Sequence, residues 1–407
     1  MRVRNKSAWL AGRVSILAAL IIVLGQTSGA VVKGACPEGQ DFALEAQLLY
    51  RVVACSGGAP LPAQWDAQIV ANHCQRLQAR MERYRRQYLA RAKPFFEGIR
   101  PRPVSDKVVY PFGGGDLLSA LTTYPDASVV TTLSLELSGD PRRITTLDNK
   151  RLDQSLDLVE RNVGGLLFAY DSTSQSLEAT QQGDLPGQLS YFLVALAVHG
   201  FEPVSLRYFR VEADGALHYY SAEEVRALDN RLAHRRHGEW TSPDFSEAFA
   251  NSELVFRPAG KSGPLRIHRH IAANLRDDYL KKNPSVLRYL ERLGHVAAMT
   301  KAASYCLWSP YFSRIRNYLL ANMDFMISDS TGIPPEFARR AGFVQVTYGS
   351  FEGAMCFDSC PSDEYDDQFK DLWAHQPHRK LDFRYGYLDS KGSYHLLVTR
   401  RGPYPTS

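Results

Sequence analysis

The chain has 407 residues, 44% hydrophobic and 22% charged, with a net charge of +5 at pH 7. This is ordinary globular composition, enough for one large domain or two. Its arginines are scattered, apart from "RMERYRRQYLAR", which reads as a solvated helix face, so the pattern excludes a basic stripe for nucleic acid.

In chain order, Arg2, Arg4, Lys6 and Arg13 precede an apolar run from Val14 to Gly25. That run is roughly a dozen residues long, where a bilayer span needs about 20. Small Ser28 and Ala30 follow, which predicts a secretory signal over residues 1–30, cleaved after Ala30. Retention as an anchor and lipidation at Cys36 are the alternatives, although Lys33 stands where a lipid-attachment motif wants an apolar residue. No later run is apolar enough to span, so the expectation is an exported chain, periplasmic or extracellular, with no transmembrane span.

Export makes the six cysteines candidates for disulfides. Cys55 with Cys74 is the preferred pair, because "CSGGAPLP" makes a tight reversal between two helical stretches. Cys356 with Cys360 is a plausible local closure, which leaves Cys36 and an apolar-flanked Cys306 as a buried free thiol.

Helical spacing of Phe42, Ala46, Leu49 and Val53 predicts a first helix. A longer one should run from Pro62 to Phe95, until Pro101 and Pro103 break the pattern. Residues 31–105 thus read as a helical N-terminal segment, 106–401 as an α/β domain and 402–407 as a tail. From Val108 strands and helices alternate, which predicts a three-layer Rossmann-like, mainly parallel but mixed sheet. "AAMTKAASYCLW" and "FSRIRNYLLANM" read as helices, "DFRYGYL" as a strand, and "SYHLLVTRR" as an antiparallel edge strand.

In open α/β sheets ligands bind outside the carboxyl ends of the strands. Gly113, Gly114 and Gly115 occupy that position after the first strand, and glycine lets a ligand approach the backbone closely. Glu136 closes the next strand, where dinucleotide folds place a ribose-binding acid, but three adjacent glycines are not the spaced fingerprint. Asp116 would repel a phosphate at the helix start; it is either a helix N-cap or part of a site for a ligand carrying hydroxyls or an amine. Lys301, Ser304, Tyr305, Arg316 and Asp329 form a second polar cluster in apolar surroundings. Lys301 and Ser304 would share a helix face, and Asp329 would either join Glu136 and Asp116 or pair with Arg316 or Lys301. His234 and His237 would share a helix face whose neighbouring arginines disfavour a cation, and His268 and His270 alternate on a strand with no carboxylate at ligand spacing, so no metal is expected.

The glycine turn and strand-end acid resemble the Rossmann-like methyltransferases, in which such features hold S-adenosylmethionine; the likeness implies a fold, and export separates the chain from that cytosolic cofactor. "VVYPFGGGDLLSALTTYPDA", "KAASYCLWSPYFSRIRNYLLANMDFMISDSTGIP" and "FRYGYL" also resemble an uncharacterised family of exported bacterial proteins. Its motifs are Y-P-F-[SG]-G-x-D and K-[SA]-A-S-Y…F-S-x-I-R-N…D-x-[ST]-G-I-P, and the likeness covers Lys107 to Arg400. It implies shared architecture and no particular chemistry; Ser330 stands where relatives often carry a second acid.

Three functions follow as expectations. The leading one is an exported binder of a small polar, non-phosphate ligand, held by Gly113, Gly114, Gly115, Asp116, Glu136, Ser304 and Tyr305, with no cofactor. The second is a hydrolase or transferase with Asp329, Lys301 and Arg316 as catalytic candidates. The third is a structural envelope protein. Aromatic walls from Tyr110, Phe112 and Tyr305 would mark the binder.

Overall fold

The computed structural model describes residues 39–168, 184–230, 232–233, 236–237, 240–241, 245–329, 331–353 and 363–402. The signal-like start, Cys36, His234, Ser330, Cys356 and Cys360 lie outside them.

Two helices, α1 (Ala43–Val52) and α2 (Ala67–Tyr84), are joined by a loop that a Cys55–Cys74 disulfide ties down. A π-helical turn, Arg85–Leu89, continues α2 into α3 (Ala90–Ile99). Strand β1 (Lys107–Pro111), helix α4 (Leu117–Thr123) and strand β2 (Val129–Ser134) follow. Next come α5 (Asn149–Phe168), α6 (Gly187–His199), β3 (Phe201–Val211), β4 (Leu217–Tyr219) and α7 (Ala222–Asp229). Gly200 ends α6 in the left-handed conformation (φ 74°), where glycine has no Cβ penalty. The remainder runs β5 (Asn251–Pro258), β6 (Arg266–Ala272), α8 (Asp277–Lys282), α9 (Ser285–Arg292), β7 (Val296–Thr300), α10 (Ser313–Asn322) and β8 (Met323–Ser328). It ends with α11 (Pro335–Arg340), β9 (Phe343–Gly349), α12 (Asp363–Ala374) and β10 (His395–Arg401).

Ten strands form one mixed sheet in the order β9-β10-β8-β7-β1-β2-β6-β5-β3-β4. The five central strands, β8-β7-β1-β2-β6, are all parallel to their neighbours within that group. Numbered by their own succession, they run 3-2-1-4-5, the arrangement of a doubly wound Rossmann sheet. β10 is wedged antiparallel between β8 and β9, and β5, β3 and β4 extend the other side, each antiparallel to its neighbour.

Alternation along β1 divides the core. Val108 and Tyr110 join a cluster with residues of α1 to α6, whereas Val109 joins one with residues of α8 to α11. Helices therefore cover both faces, giving three layers. The N-terminal helices belong to the first cluster, with Leu49, Leu77, Met81 and Phe96 buried against the same face as α4 and α6.

Three local expectations are corrected. "AAMTKAASYCLW" is not a helix: Val296–Thr300 is strand β7, buried on both faces, and a 3-10 turn at Ala303–Leu307 follows. A fully buried parallel strand reads as a continuous apolar run, which periodicity cannot separate from a helix. "DFRYGYL" forms no strand, and its Phe383 and Tyr385 are instead buried in irregular chain. "SYHLLVTRR" is antiparallel but internal, with the edge position taken by β9.

Candidate functional site

The order 3-2-1-4-5 changes direction between β1 and β7, and a crevice opens outside the carboxyl ends of the strands flanking such a switch point. The chain leaves β1 through Phe112–Asp116 and leaves β7 through Lys301–Ser304, so the two polar clusters found in the sequence meet there. Backbone strain collects at the same place. Of three non-glycine residues with positive φ among the described residues, Phe112 (φ 61°) follows β1 and Ala302 (φ 65°) follows β7. Ala302 is the centre of a γ-turn closed by Ala303 N–H donating to the Lys301 carbonyl at 2.8 Å. This form of γ-turn is rare and strained, and such strain persists only where the surroundings over-determine it.

Asp329, fully buried beyond β8, supplies that restraint. Its Oδ2 accepts Ala302 N–H at 2.8 Å, and its Oδ1 accepts from the hydroxyls of Ser304 and of Thr331. Burial pushes its carboxyl pKa up, against the pull of these donors. A Cβ on Gly386 would collide with this carboxylate, so glycine is required there.

Asp116 works at the turn that follows β1. Its Oδ1 accepts Ser119 N–H at 3.0 Å as the N-cap of α4, and its Oδ2 accepts from Tyr110 Oη at 3.1 Å and Lys301 Nζ at 3.2 Å. Lys301 Nζ also donates to Ser119 Oγ at 2.9 Å. The ion pair is buried, with 8% and 10% of its side chains exposed, which makes removal of either partner expensive.

Glu136 lies just past β2, 1% exposed, and neither of its carboxylate oxygens has a hydrogen-bond partner. Burial raises its pKa; the Ser134 hydroxyl and the N–H groups of Glu136 and Leu135 lie near without closing a bond and only partly oppose this. A Cβ on Gly114 (φ 48°) would sit 3.3 Å from Glu136 Oε1, so the turn leans directly on the acid. One on Gly115 would meet Gln188 Oε1 at 2.5 Å and the Tyr191 ring at 2.7 Å. Gln188, in the first turn of α6, is fully buried with both amide atoms unpartnered. The last residues of β2, β7 and β8 (Ser134, Thr300 and Ser328) likewise end in buried hydroxyls without partners. Orphaned groups of this kind are uncommon in folded proteins, and five of the thirteen described residues that carry one lie along this rim of the sheet.

The backbone of Glu136 is fixed from β6. His270 Nε2–H donates to the Glu136 carbonyl at 2.8 Å, which leaves Nδ1 as an acceptor for the Thr132 hydroxyl at 3.0 Å. The Thr132 oxygen in turn accepts from His268 Nε2–H at 3.0 Å. Burial keeps both rings neutral by lowering their pKa values, that of His270 to about 4.

The sequence-predicted groups therefore fall into three sets. Asp116 and Lys301 pair at the switch point; Ser304 and Asp329 pair over the strained turn; Glu136 stands apart against Gly114. Lys301 and Ser304 share no helix face, since one follows a strand and the other lies in a 3-10 turn. Arg316 meets neither Asp329 nor Lys301: its Nη1 donates to the Leu307 and Trp308 carbonyls, and its guanidinium lies 3.9 Å from the centre of the Phe337 ring. Glu136 and Asp329 are separated by the width of β1 and β7, roughly 14 Å at the usual strand spacing. Of the expected aromatic walls, Tyr110 is buried, Phe112 packs edge-on against Phe312, and Tyr305 is half-buried. Gln188 and Ser119 went unnoticed in the sequence. The available signal for Gln188 was a single amide opening an otherwise apolar helix.

Cys306 is a free, half-buried thiol whose pKa burial pushes up to about 12. Among the described residues no group of three or more His, Cys, Asp or Glu is arranged to hold a metal, and no helix is long and apolar enough to cross a membrane. No family model matches the chain, and no curated protein or solved structure matches it either.

Proposed function

We propose that the protein binds a small polar, non-phosphate ligand at the carboxyl rim of its parallel strands, with Glu136 and the Gly113–Gly115 turn, all buried in this structure, as the contact groups. One observation carries this reading: a buried carboxyl group lies against a glycine turn with neither oxygen in a closed hydrogen bond, although the Ser134 hydroxyl and two main-chain N–H groups lie near it. A group in that state costs free energy in the ligand-free protein, and a ligand with hydroxyl or amine donors would supply what is missing. The carboxylate disfavours phosphate. Asp116, held by Lys301, would shape the turn, and Ser304 and Tyr305 would border the crevice from the β7 side.

Export fits this reading. The disulfide between Cys55 and Cys74 suits an oxidising compartment, periplasmic or extracellular, as does the signal-like start. A second reading, a transferase of the methyltransferase-like kind, draws on the same turn and acid together with the 3-2-1-4-5 strand succession. Glu136 and Asp329 leave strands that are not neighbours, with β1 and β7 between them, which favours binding over chemistry in which both acids attack one bond.

A thermal-shift screen of the purified chain against metabolites, S-adenosylmethionine included, tests both. The binding reading expects hits that Glu136→Gln weakens; it fails if hits persist unchanged in that variant, and a screen without hits leaves the structural role. A shift with S-adenosylmethionine, with methyl transfer to an acceptor, would establish the second reading.

A further inference from the structure

Glu136 is not alone in lacking partners. Gln188 faces the neighbouring glycine of the same turn, 0% exposed, with neither its carbonyl oxygen nor its NH2 group engaged. It is held there by the start of α6, where Leu189 N–H donates to the Ser138 carbonyl at 3.1 Å. Two orphaned side chains thus bracket Gly114 and Gly115, one from the end of β2 and one from the first turn of α6. We propose that Gln188 is the specificity-determining residue of this site, selecting ligands with adjacent hydroxyl groups over amines; the inference rests on the ligand-binding reading given above.

Donor and acceptor chemistry carries the argument. An ionised carboxylate only accepts hydrogen bonds, whereas a glutamine amide accepts at Oε1 and donates from Nε2. An ammonium group could satisfy Glu136 and Oε1 but offers nothing to Nε2, which would stay buried without an acceptor. A carboxylate or phosphate on the ligand would satisfy Nε2 and then face Glu136 with like charge. Hydroxyl groups both donate and accept, so a vicinal pair serves the acid and both atoms of the amide. Free sugars and the ribose of a nucleoside share that chemistry. Discrimination against a ligand that leaves a buried polar group unpaired is characteristically strong.

The test is calorimetric titration of the full chain and of Gln188→Met, Gln188→Glu and Glu136→Gln with ribose, glucose, adenosine, ethanolamine and putrescine. Wild type should bind a hydroxyl-bearing probe in preference to putrescine; adenosine against the two sugars separates a nucleoside source from a free-sugar one. Gln188→Met should weaken that probe by about tenfold, the loss of one or two hydrogen bonds. Gln188→Glu should shift preference toward the amines. A ligand-independent readout accompanies these: without ligand, Gln188→Met should raise Tm, because it removes an unpartnered buried amide, whereas a glutamine that merely supports the fold would lower it. Unchanged affinity and unchanged preference in Gln188→Met, with Glu136→Gln still weakened, would overturn the role of Gln188 and spare the binding site. Failure of every probe on wild type would overturn both.

Discussion

Replacing Glu136 with methionine removes a carboxyl group that has no partner and substitutes an apolar side chain of similar length. A buried polar group without a hydrogen bond costs about 1–3 kcal/mol. The unit from Glu38 to Ser407 unfolds some 370 residues, and at about 2.1 cal/mol/K per residue its unfolding entropy is roughly 0.8 kcal/mol/K. The ligand-free Glu136→Met protein should therefore melt about 1–4 °C above wild type, by differential scanning calorimetry at neutral pH. Glu136→Gln separates charge from polarity. The folded-state pKa of Glu136 is raised, so its contribution is most favourable below the ordinary glutamate range and is lost as pH rises through the folded value. The advantage of Gln over Glu should accordingly be small in acid and grow toward neutral pH. Lower melting temperatures for both variants, by the same amount at every pH, would mean that the carboxyl group makes bonds that hold the fold, and the reasoning would be refuted.

Other variants probe the rest of the rim. Lys301→Met should destabilise by about 3–5 kcal/mol in urea denaturation, since it leaves Asp116 buried and unpaired; adding Asp116→Asn should recover much of the loss. Asp329→Asn should remove acceptors from the Ala302 turn and lower the urea midpoint, with hydrogen exchange rising first at Ala302 and Ala303. Gly386→Ala, which drives a Cβ into Asp329 at a φ of 75°, should be still less tolerated, and a neutral result would show that this loop relaxes freely. Reducing the Cys55–Cys74 bridge, which closes a loop of 19 residues, should cost about 3 kcal/mol in the same assay.

What could be read from the sequence was mainly local. The "GGGD" turn needs only its own residues to announce a strand-to-helix reversal, with Asp116 capping α4 as that motif requires. Cys55 and Cys74 flank a short reversal, and Glu136 ends a run of β-branched residues. Failures occurred where the deciding partner lies far along the chain. Val296–Thr300 carries no alternation because both faces are buried, and only its pairing with β1 and β8 marks it as a strand. Lys301 finds Asp116 across 185 positions, a pairing that no spacing rule on one helix could supply. The same applies to β10, whose residues suit an edge and whose place between β8 and β9 is set by the sheet as a whole.

The contrast among the three buried carboxyl groups of this rim bears most directly on function. Asp116 is answered by a lysine, a tyrosine and a main-chain N–H; Asp329 is answered by two hydroxyls and a main-chain N–H. Both acids thereby shape loops, and their replacement should be felt first in stability. Glu136 is as deeply buried and closes no hydrogen bond, with only the Ser134 hydroxyl and two main-chain N–H groups near it, although its backbone is fixed by the His268–Thr132–His270 chain. On the binding reading proposed above, the free-energy cost of an acid positioned so firmly and left without a closed hydrogen bond would be recovered when a ligand binds. Thr132→Val tests that link: by cutting the chain while conserving shape, it should weaken ligand binding at Glu136 even in preparations whose melting temperature is close to wild type, and unaltered affinity would detach the histidines from the site.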